Sequence, residues 1–294
     1  MTAADLVLDA RATVAECPTW DPGRQALWWV DIPAGRVHRF SPATGEDVSF
    51  TAGEAVGAVA VRHGGGLLLA TATGIVACAA DGSGRTVLHA VSPPGGRFND
   101  GKADPWGRFW AGTLVSGTRG AGTLYRLDPD GALRALVTGV SVSNGLGWSP
   151  DGRTFYYADS PTGGVDAFDH DPETGALAHR RRLIDIERGR PDGLTVDAEG
   201  FVWVALWEGG AVQRYSPDGR LTRTVEIPAR KVTSCAFGGP GLGTLYVTTA
   251  RVGLSETELR EQPHAGAIFS VPAEAPGQAP GVYTQETEGP AAST

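Results

Sequence analysis

The chain has 294 residues, of which 41% are hydrophobic, and its formal net charge is −8. That acidic balance argues against nucleic-acid backbones and anionic membranes as partners, and no apolar stretch is long enough to cross a bilayer. The 42 glycines and 20 prolines are scattered without a three-residue period, which is typical of many short strands joined by turns and excludes a collagen-like chain.

The first predicted unit is a turn followed by a short apolar or aromatic strand, and it recurs six times. In chain order the copies read DPGRQALWWVD, RHGGGLLLAT, DPWGRFWAGT, SPDGRTFYYAD, DAEGFVWVAL and GPGLGTLYVTT. Their marker residues lie 40, 41, 47, 46 and 43 residues apart, and they are Trp29, Leu69, Trp110, Tyr157, Trp203 and Tyr246. Repeats of this length that contain several strands are typical of propeller blades.

A second unit follows each first one and predicts a strand that enters a hairpin. The copies read GRVHRFSPATG, GIVACAADGSG, GTLYRLDPDG, GGVDAFDHDPETG, GAVQRYSPDG and GAIFSVPAE. Each begins with glycine and alternates apolar with polar residues, and further segments such as ALRALVT and LTRTVEI predict outer strands. We therefore predict an all-β fold, a six-bladed β-propeller that forms a single domain over residues 1–275.

The two ends of the chain carry separate predictions. The N-terminal LVLDARAT has no partner in its own repeat, so we expect it to complete the last blade. Residues 276–294 are rich in Pro, Gly, Ala, Thr and Glu, and we expect a flexible tail there. No signal-like segment is present, and Cys17, Cys78 and Cys235 form no CxxC pair, so we expect a cytoplasmic protein, monomeric or weakly dimeric, without a disulfide framework or structural zinc site.

Polar side chains occupy nearly equivalent places just before the marker strand in most repeats. Counted back from the markers, they are Glu16 at 13 residues, Asn99 at 11, Asn144 at 13, Asp192 at 11 and Ser234 at 12. The second repeat offers only Val56 and Gly57 there. Because the innermost strands of a propeller surround the central channel and begin on one face, we expect these side chains to converge on the axis.

The converging residues predict a metal site. Glu16, Asn144 and Asp192 would share one small volume with Asn99 and Asp100, and carboxylates crowded in this way repel one another without a cation. Hard oxygen ligands suit calcium, magnesium or manganese, with iron(II) or zinc also possible. Taken singly, the Asn-Gly and Asp-Gly pairs are ordinary turn dipeptides and a lone glutamate is a surface residue, but their shared place in the repeat favours the site.

At these residues the sequence resembles the gluconolactonase/regucalcin (senescence marker protein) family of six-bladed propellers. The resemblance covers nearly the whole chain and is most specific in GGRFNDGKADPWGRFWAGT, VSNGLGWSPDGRTFYYADS, PDGLTVDAEGFVWVALWEGG and TSCAFGGPGLGTLYVTTA. It implies one divalent metal ion held by Glu16, Asn144 and Asp192, with Asp192 also the general acid/base. It further implies that Arg97 and Asn99 contact the substrate.

The resemblance implies hydrolysis of a sugar lactone, such as gluconolactone or a pentonolactone, to the aldonic acid. Two departures leave the choice of lactone open: Cys17 stands where the family often has glycine or serine, and LVSGTRGAGTLYR lacks the acidic substrate contact of regucalcin-like members. The alternatives are a phosphotriester or other ester hydrolase on the same scaffold, and a calcium-binding or protein-interaction propeller without catalysis. The sequence contains no GxSxG elbow, so a serine hydrolase is not indicated.

Overall fold

The computed structural model describes residues 4–91, 93 and 95–286, and within them it shows six antiparallel sheets of four strands each. Each sheet consists of consecutive strands, except that the last sheet also takes up the first strand of the chain. This arrangement is a six-bladed β-propeller, and the predicted fold is confirmed.

The first half of the chain forms one strand of the last blade and the whole of blades 1 to 3. The strand that joins the last blade is β1 (Asp5–Leu8). Blade 1 consists of β2 (Ala15–Asp21), β3 (Ala26–Asp31), β4 (Arg36–Ser41) and β5 (Glu46–Thr51). Blade 2 consists of β6 (Val56–Val61), β7 (Leu67–Thr71), β8 (Gly74–Cys78) and β9 (Thr86–Ala90). Blade 3 consists of β10 (Gly96–Ala103), β11 (Phe109–Val115), β12 (Gly122–Leu127) and β13 (Leu133–Val140).

The second half forms blades 4 to 6. Blade 4 consists of β14 (Ser143–Trp148), β15 (Thr154–Asp159), β16 (Gly164–His170) and β17 (Leu177–Asp185), and blade 5 of β18 (Arg190–Val196), β19 (Val202–Trp207), β20 (Ala211–Tyr215) and β21 (Leu221–Glu226). Blade 6 consists of β22 (Val232–Gly238), β23 (Thr244–Thr249), β24 (Ile268–Pro272) and β1. Short 3-10 helices lie at Ser160–Thr162 and Pro240–Leu242, and α1 is Glu256–Glu261. Among the described residues no helix is long and apolar enough to cross a membrane.

In each blade the outermost strand is more exposed than the three strands inside it. In blade 1 all six residues of β3 are buried, whereas those of β5 are exposed or half-buried. The sequence ALWWVD of β3 therefore does not alternate, because both faces of the strand pack inside the propeller. The sequence EDVSFT of β5 carries charged and polar residues because it lies at the rim of the blade.

Blades 1, 3 and 5 share a hydrogen-bonded corner where the innermost strand ends. An aspartate there accepts the indole N–H of a tryptophan in the second strand as well as backbone N–H groups of the turn. The pairs are Asp21 with Trp28 at 3.2 Å, Asp104 with Trp110 at 2.8 Å and Asp197 with Trp203 at 2.9 Å. Because each buried polar group has a partner, these corners fix the last residues of the innermost strands.

The ring closes where the N-terminal part of the chain meets blade 6. β1 pairs antiparallel with β24, where Leu6 lies opposite Phe269. Thr233 in β22 donates its hydroxyl to the carbonyl oxygen of Ala15 in β2 at 2.6 Å. The second contact lies one residue before Glu16, so ring closure also fixes the start of the strand that carries this carboxylate.

Residues 276–286 lie against the propeller, which differs from the flexible tail expected from residue 276 onward. Gln278 Nε2 donates to the carbonyl oxygen of Trp148, the last residue of β14, at 2.9 Å. Tyr283 is only 1% exposed, and its phenol donates to a carbonyl oxygen of blade 3. Burial of this aromatic ring stabilises a segment whose composition alone indicates flexibility. The rest of the predicted tail, residues 287–294, lies outside the described residues.

Candidate active site

The six innermost strands share a β-bulge near their first residues. The register changes between Glu16 and Thr19, Val56 and Ala58, Phe98 and Asp100, Ser143 and Leu146, Pro191 and Leu194, and Val232 and Ser234. A bulge breaks the regular alternation of a strand and turns a side chain out of the plane of pairing. Every residue of the predicted site stands at one of these bulges or within one residue of it.

Glu16 is buried and accepts one hydrogen bond, from the backbone N–H of Cys17. Cys17 has a left-handed backbone, with φ of +48°, and this bend brings its N–H to the preceding carboxylate. Burial raises the pKa of Glu16 well above its ordinary value, and repulsion from Asp192 and Asp100 adds to the rise. The carboxylates of three blades therefore interact electrostatically on the channel axis.

Asp192 is 6% exposed, and no described residue donates a hydrogen bond to its carboxylate. Burial raises its pKa well above the ordinary value, followed by repulsion from Asp100. A buried carboxylate without donors is strongly destabilising unless a cation or a proton neutralises it. Asp192 therefore has both of its oxygen atoms free to bind an additional group.

Asp100 and Lys102 carry two further charges near Glu16 and Asp192. Asp100 is 5% exposed and accepts the backbone N–H of Gly101 at 2.7 Å. Burial raises its pKa to about 6, although Lys102 and that N–H oppose the rise. The ammonium group of Lys102 donates to the carbonyl oxygen of Leu194 in blade 5 at 2.7 Å, so it joins blades across the channel.

The amide of Asn144 is held by two neighbours. Its Nδ2 donates to Ser160 Oγ at 2.7 Å, and its Oδ1 accepts from Asn99 Nδ2 at 3.2 Å. Asn144 is 5% exposed, like the two carboxylates of the predicted metal site. Its oxygen therefore lies toward Asn99, and its nitrogen lies toward Ser160.

Arg97 and Asn99 extend this network toward the start of β10. Asn99 Nδ2 also donates to the carbonyl oxygen of Ser143 at 2.8 Å, and its Oδ1 accepts from Arg97 Nη1 at 2.8 Å. The same Nη1 donates to the carbonyl oxygen of Phe98 at 2.8 Å. Burial lowers the pKa of Arg97, while attraction to Glu16 opposes that change. Hydrogen bonds thus link Arg97, Asn99 and Asn144. Glu16 interacts electrostatically with both Arg97 and Asp192.

The donor chemistry of this group fits a divalent cation. The group contains two buried carboxylates and an amide oxygen, and these are the hard oxygen ligands that divalent cations prefer. Burial and repulsion raise the pKa of both Glu16 and Asp192, which is the condition that a bound cation relieves. Across residues 4–91, 93 and 95–286 no group of three or more His, Cys, Asp or Glu side chains is arranged to hold a metal ion. The predicted ligand set differs from such a group, because its third member is the amide of Asn144.

Two residues around the site were not assigned a role from the sequence. Ser160 contacts Asn144 directly, yet a serine after YYAD carries no signal of its own. Cys17 Sγ accepts the N–H of Val59 at 3.4 Å and donates to the carbonyl oxygen of Gly101 at 3.2 Å. Burial raises the pKa of this thiol, so it stays protonated and joins the innermost strands of blades 1, 2 and 3.

The connection between β11 and β12 lies beside the start of β10, because the Ser116 N–H donates to the carbonyl oxygen of Gly95 at 3.1 Å. Residues 116–121 are exposed and contain no acidic side chain. The one charged residue of this loop, Arg119, forms no ion pair with the described part of the chain. This loop therefore presents no carboxylate beside the start of β10.

The model of the family described as SMP-30/Gluconolactonase/LRE-like region matches residues 14–251. The chain belongs to this family. Within the SMP-30/gluconolactonase family, pentonolactonase XacC of Haloferax volcanii is 42% identical over 246 residues, which cover 83% of this chain and 84% of that protein. Human regucalcin is 40% identical over 278 residues, which cover 91% and 93% of the two chains.

A solved structure gives the same result at the level of the fold. The calcium-binding protein regucalcin of Agrobacterium tumefaciens superposes with a TM-score of 0.92 at 30% sequence identity. The match covers 96% of this chain and 97% of the other. The similarity extends over all six blades, so it includes every strand that carries a residue of the predicted site.

Proposed function

We propose that this protein is a lactonase that opens a sugar lactone to the aldonic acid with a divalent cation held by Glu16, Asn144 and Asp192. The observation that carries the proposal is the pair of buried carboxylates, which accept only one hydrogen bond between them from the described residues. Membership of the SMP-30/gluconolactonase family and the similarity to a pentonolactonase support the choice of a sugar lactone.

The bound cation, for which we propose calcium, manganese, magnesium, zinc or iron(II), would polarise the lactone carbonyl and stabilise the negative charge that develops on its oxygen. The ligand set leaves the identity of the cation open, because all five ions bind oxygen ligands. Glu16 and Asn144 act only as ligands in this proposal. Asp192 would both hold the cation and orient the attacking water.

Asp192 acts as the general acid/base of the proposed reaction. It takes a proton from the water molecule whose oxygen attacks the lactone carbonyl carbon. It then gives this proton to the ring oxygen as the bond between that oxygen and the carbonyl carbon breaks, which leaves a free carboxylic acid and a hydroxyl group. General acid/base assistance of this kind typically contributes about 10²–10⁴-fold to the rate.

Arg97 and Asn99 position the lactone in this proposal. The hydrogen bonds of Arg97 to Phe98 and Asn99 both come from Nη1, so neither uses the donors on Nε and Nη2. A guanidinium held in this way presents paired donors to sugar hydroxyls or to the carboxylate of the product. Asn99 holds the guanidinium through Oδ1 and links it to Asn144.

The test is acid release from a panel of lactones, recorded at constant pH and corrected for spontaneous hydrolysis. We expect turnover of gluconolactone or a pentonolactone that a chelator abolishes and the cation restores. Asp192→Asn should lower the rate by at least about 100-fold. Asp218→Asn, which changes an exposed aspartate in the same blade, should keep the wild-type rate and serves as the control. Full turnover by Asp192→Asn with bound cation would remove the acid/base assignment.

A calcium-binding propeller without catalysis is the second candidate, favoured by the similarity to a protein described as a calcium-binding regucalcin. Tight cation binding without turnover of any lactone would favour this candidate. Turnover of phosphotriesters but not lactones would favour a phosphotriester hydrolase on the same scaffold. Both outcomes contradict the lactonase proposal while leaving the cation site intact.

We further propose that the protein acts in the cytoplasm as a monomer or weak dimer, without nucleic-acid or membrane partners. All three cysteines are free and buried, which supports a reducing compartment. The net charge of −8 supports the absence of polyanionic partners. Sedimentation over a range of protein concentrations tests the oligomeric state.

A further inference from the structure

The side chain of Ser160 connects two of the proposed cation ligands that lie on different blades. Its Oγ is 2.7 Å from Asn144 Nδ2 in blade 4 and 2.6 Å from the carbonyl oxygen of Pro191 in blade 5. Pro191 directly precedes Asp192. Ser160 itself is 9% exposed, so water does not readily replace either contact.

The directions of these two hydrogen bonds follow from the chemistry of the groups. A hydroxyl has one proton to donate, and a carbonyl oxygen can only accept, so the Ser160 proton goes to Pro191. The lone pairs of Oγ then accept from Asn144, whose group on this side must be the NH₂ of the amide. The Asn144 oxygen is consequently turned to the opposite side, where Asn99 Nδ2 donates to it at 3.2 Å.

The backbone around Ser160 is fixed to the strand that carries Asn144. Asp159, at the end of β15, accepts the N–H groups of Ser141 at 3.0 Å and Val142 at 2.8 Å, which lead into β14. The Ser160 N–H donates to the carbonyl oxygen of Val142 at 3.2 Å. The hydroxyl is therefore held in place by the same corner that sets the start of the strand.

We propose that Ser160 is a positioning residue of the cation site, which turns the Asn144 oxygen toward the cation and holds the strand of Asp192 beside it. This inference rests on the proposed cation site but not on lactone hydrolysis. Hydrogen-bond partners of metal ligands typically contribute about 10–100-fold to metal affinity. Removal of the Ser160 hydroxyl leaves the amide free to rotate and present its NH₂ to the cation.

The experiment measures cation affinity by calorimetry on chelator-stripped protein, with Mn²⁺ and Ca²⁺ as probes. We expect Ser160→Ala to weaken the Kd by about 10–100-fold. The matched control is Ser143→Ala, which removes another buried hydroxyl, one residue from Asn144, that bonds to the Tyr157 phenol at 2.7 Å and not to the amide. This control should keep the wild-type Kd within about twofold, because it leaves the ligand orientation unchanged.

A double-mutant cycle separates positioning from a general loss of structure. In the Asn144→Ala background the amide is absent, so adding Ser160→Ala should weaken the Kd much less than it does in the wild type. Equal losses in both backgrounds, or equal losses in Ser160→Ala and Ser143→Ala, would overturn the inference. Thermal unfolding checks that each variant is folded. If wild-type protein binds no cation, both this inference and the proposed function fail, whereas binding with an unchanged Kd in Ser160→Ala overturns the inference alone.

Discussion

Replacing Asp100 with asparagine should stabilise the cation-free protein at neutral pH. Asp100 is buried, and burial raises its pKa from 3.8 to about 6. A carboxyl group whose pKa is higher in the folded state ionises more readily in the unfolded chain, so its charge destabilises the fold as the pH rises. The rise from 3.8 to about 6 corresponds to about 3 kcal/mol, at about 1.4 kcal/mol for each pH unit.

The sign of this pH dependence follows from the direction of the pKa change. Below about pH 4 the carboxyl is protonated in both states, and the wild type and Asp100→Asn should have similar free energies of unfolding. The difference should grow between about pH 4 and 6 and reach about 3 kcal/mol above that range. Asparagine keeps the oxygen that accepts the Gly101 N–H, so the substitution preserves this hydrogen bond.

The assay is urea unfolding in the presence of chelator at several pH values between 4.5 and 8. Asp218→Asn is the control, because Asp218 is exposed and its pKa is lowered by Ser216, so this variant should show no gain at any pH. A gain for Asp100→Asn that is the same at pH 4.5 and pH 8 would refute the electrostatic reasoning. A loss of stability at pH 8 would refute it as well.

Two further predictions concern the substrate contact and the C-terminal segment. Arg97→Lys should raise the KM for the lactone by about tenfold with little change in cation Kd, because an ammonium group lacks the paired donors of the guanidinium. Steady-state kinetics and calorimetry test this prediction. An unchanged KM would remove Arg97 from the substrate site. Tyr283→Ala should lower the free energy of unfolding by about 3 kcal/mol, because the ring is 1% exposed. A change below about 0.5 kcal/mol in urea unfolding would contradict the anchoring role of the segment.

The six blades could be predicted from the sequence because each repeat contains its own turn and strand signals. The inner strands could be compared in register, so the similar places of Glu16, Asn144 and Asp192 in the repeat predict that these side chains converge. The packing of residues 276–286 could not be predicted in this way. Their composition indicates a flexible tail, but Tyr283 packs against blades that lie far away in the sequence.

The finer geometry of the site could not be read from the repeats. Each inner strand carries a bulge that breaks the regular alternation of side chains near its first residues, so counting along the repeat does not show how each side chain is oriented. Ser160 has no equivalent that the repeat pattern identifies, and its partner Pro191 lies 31 residues away. Its role depends on how two blades meet, and such contacts leave no local pattern in the chain.

The measurement that tests the central claim most directly is the lactonase rate of chelator-stripped protein during titration with Mn²⁺. If Glu16, Asn144 and Asp192 hold the cation that hydrolysis requires, stripped protein should not exceed the spontaneous rate. The rate should then rise in proportion to added Mn²⁺ and level off at one equivalent, and Glu16→Gln should need more cation to reach the same rate. Full activity in stripped protein, or a rate that does not follow Mn²⁺, would contradict the claim.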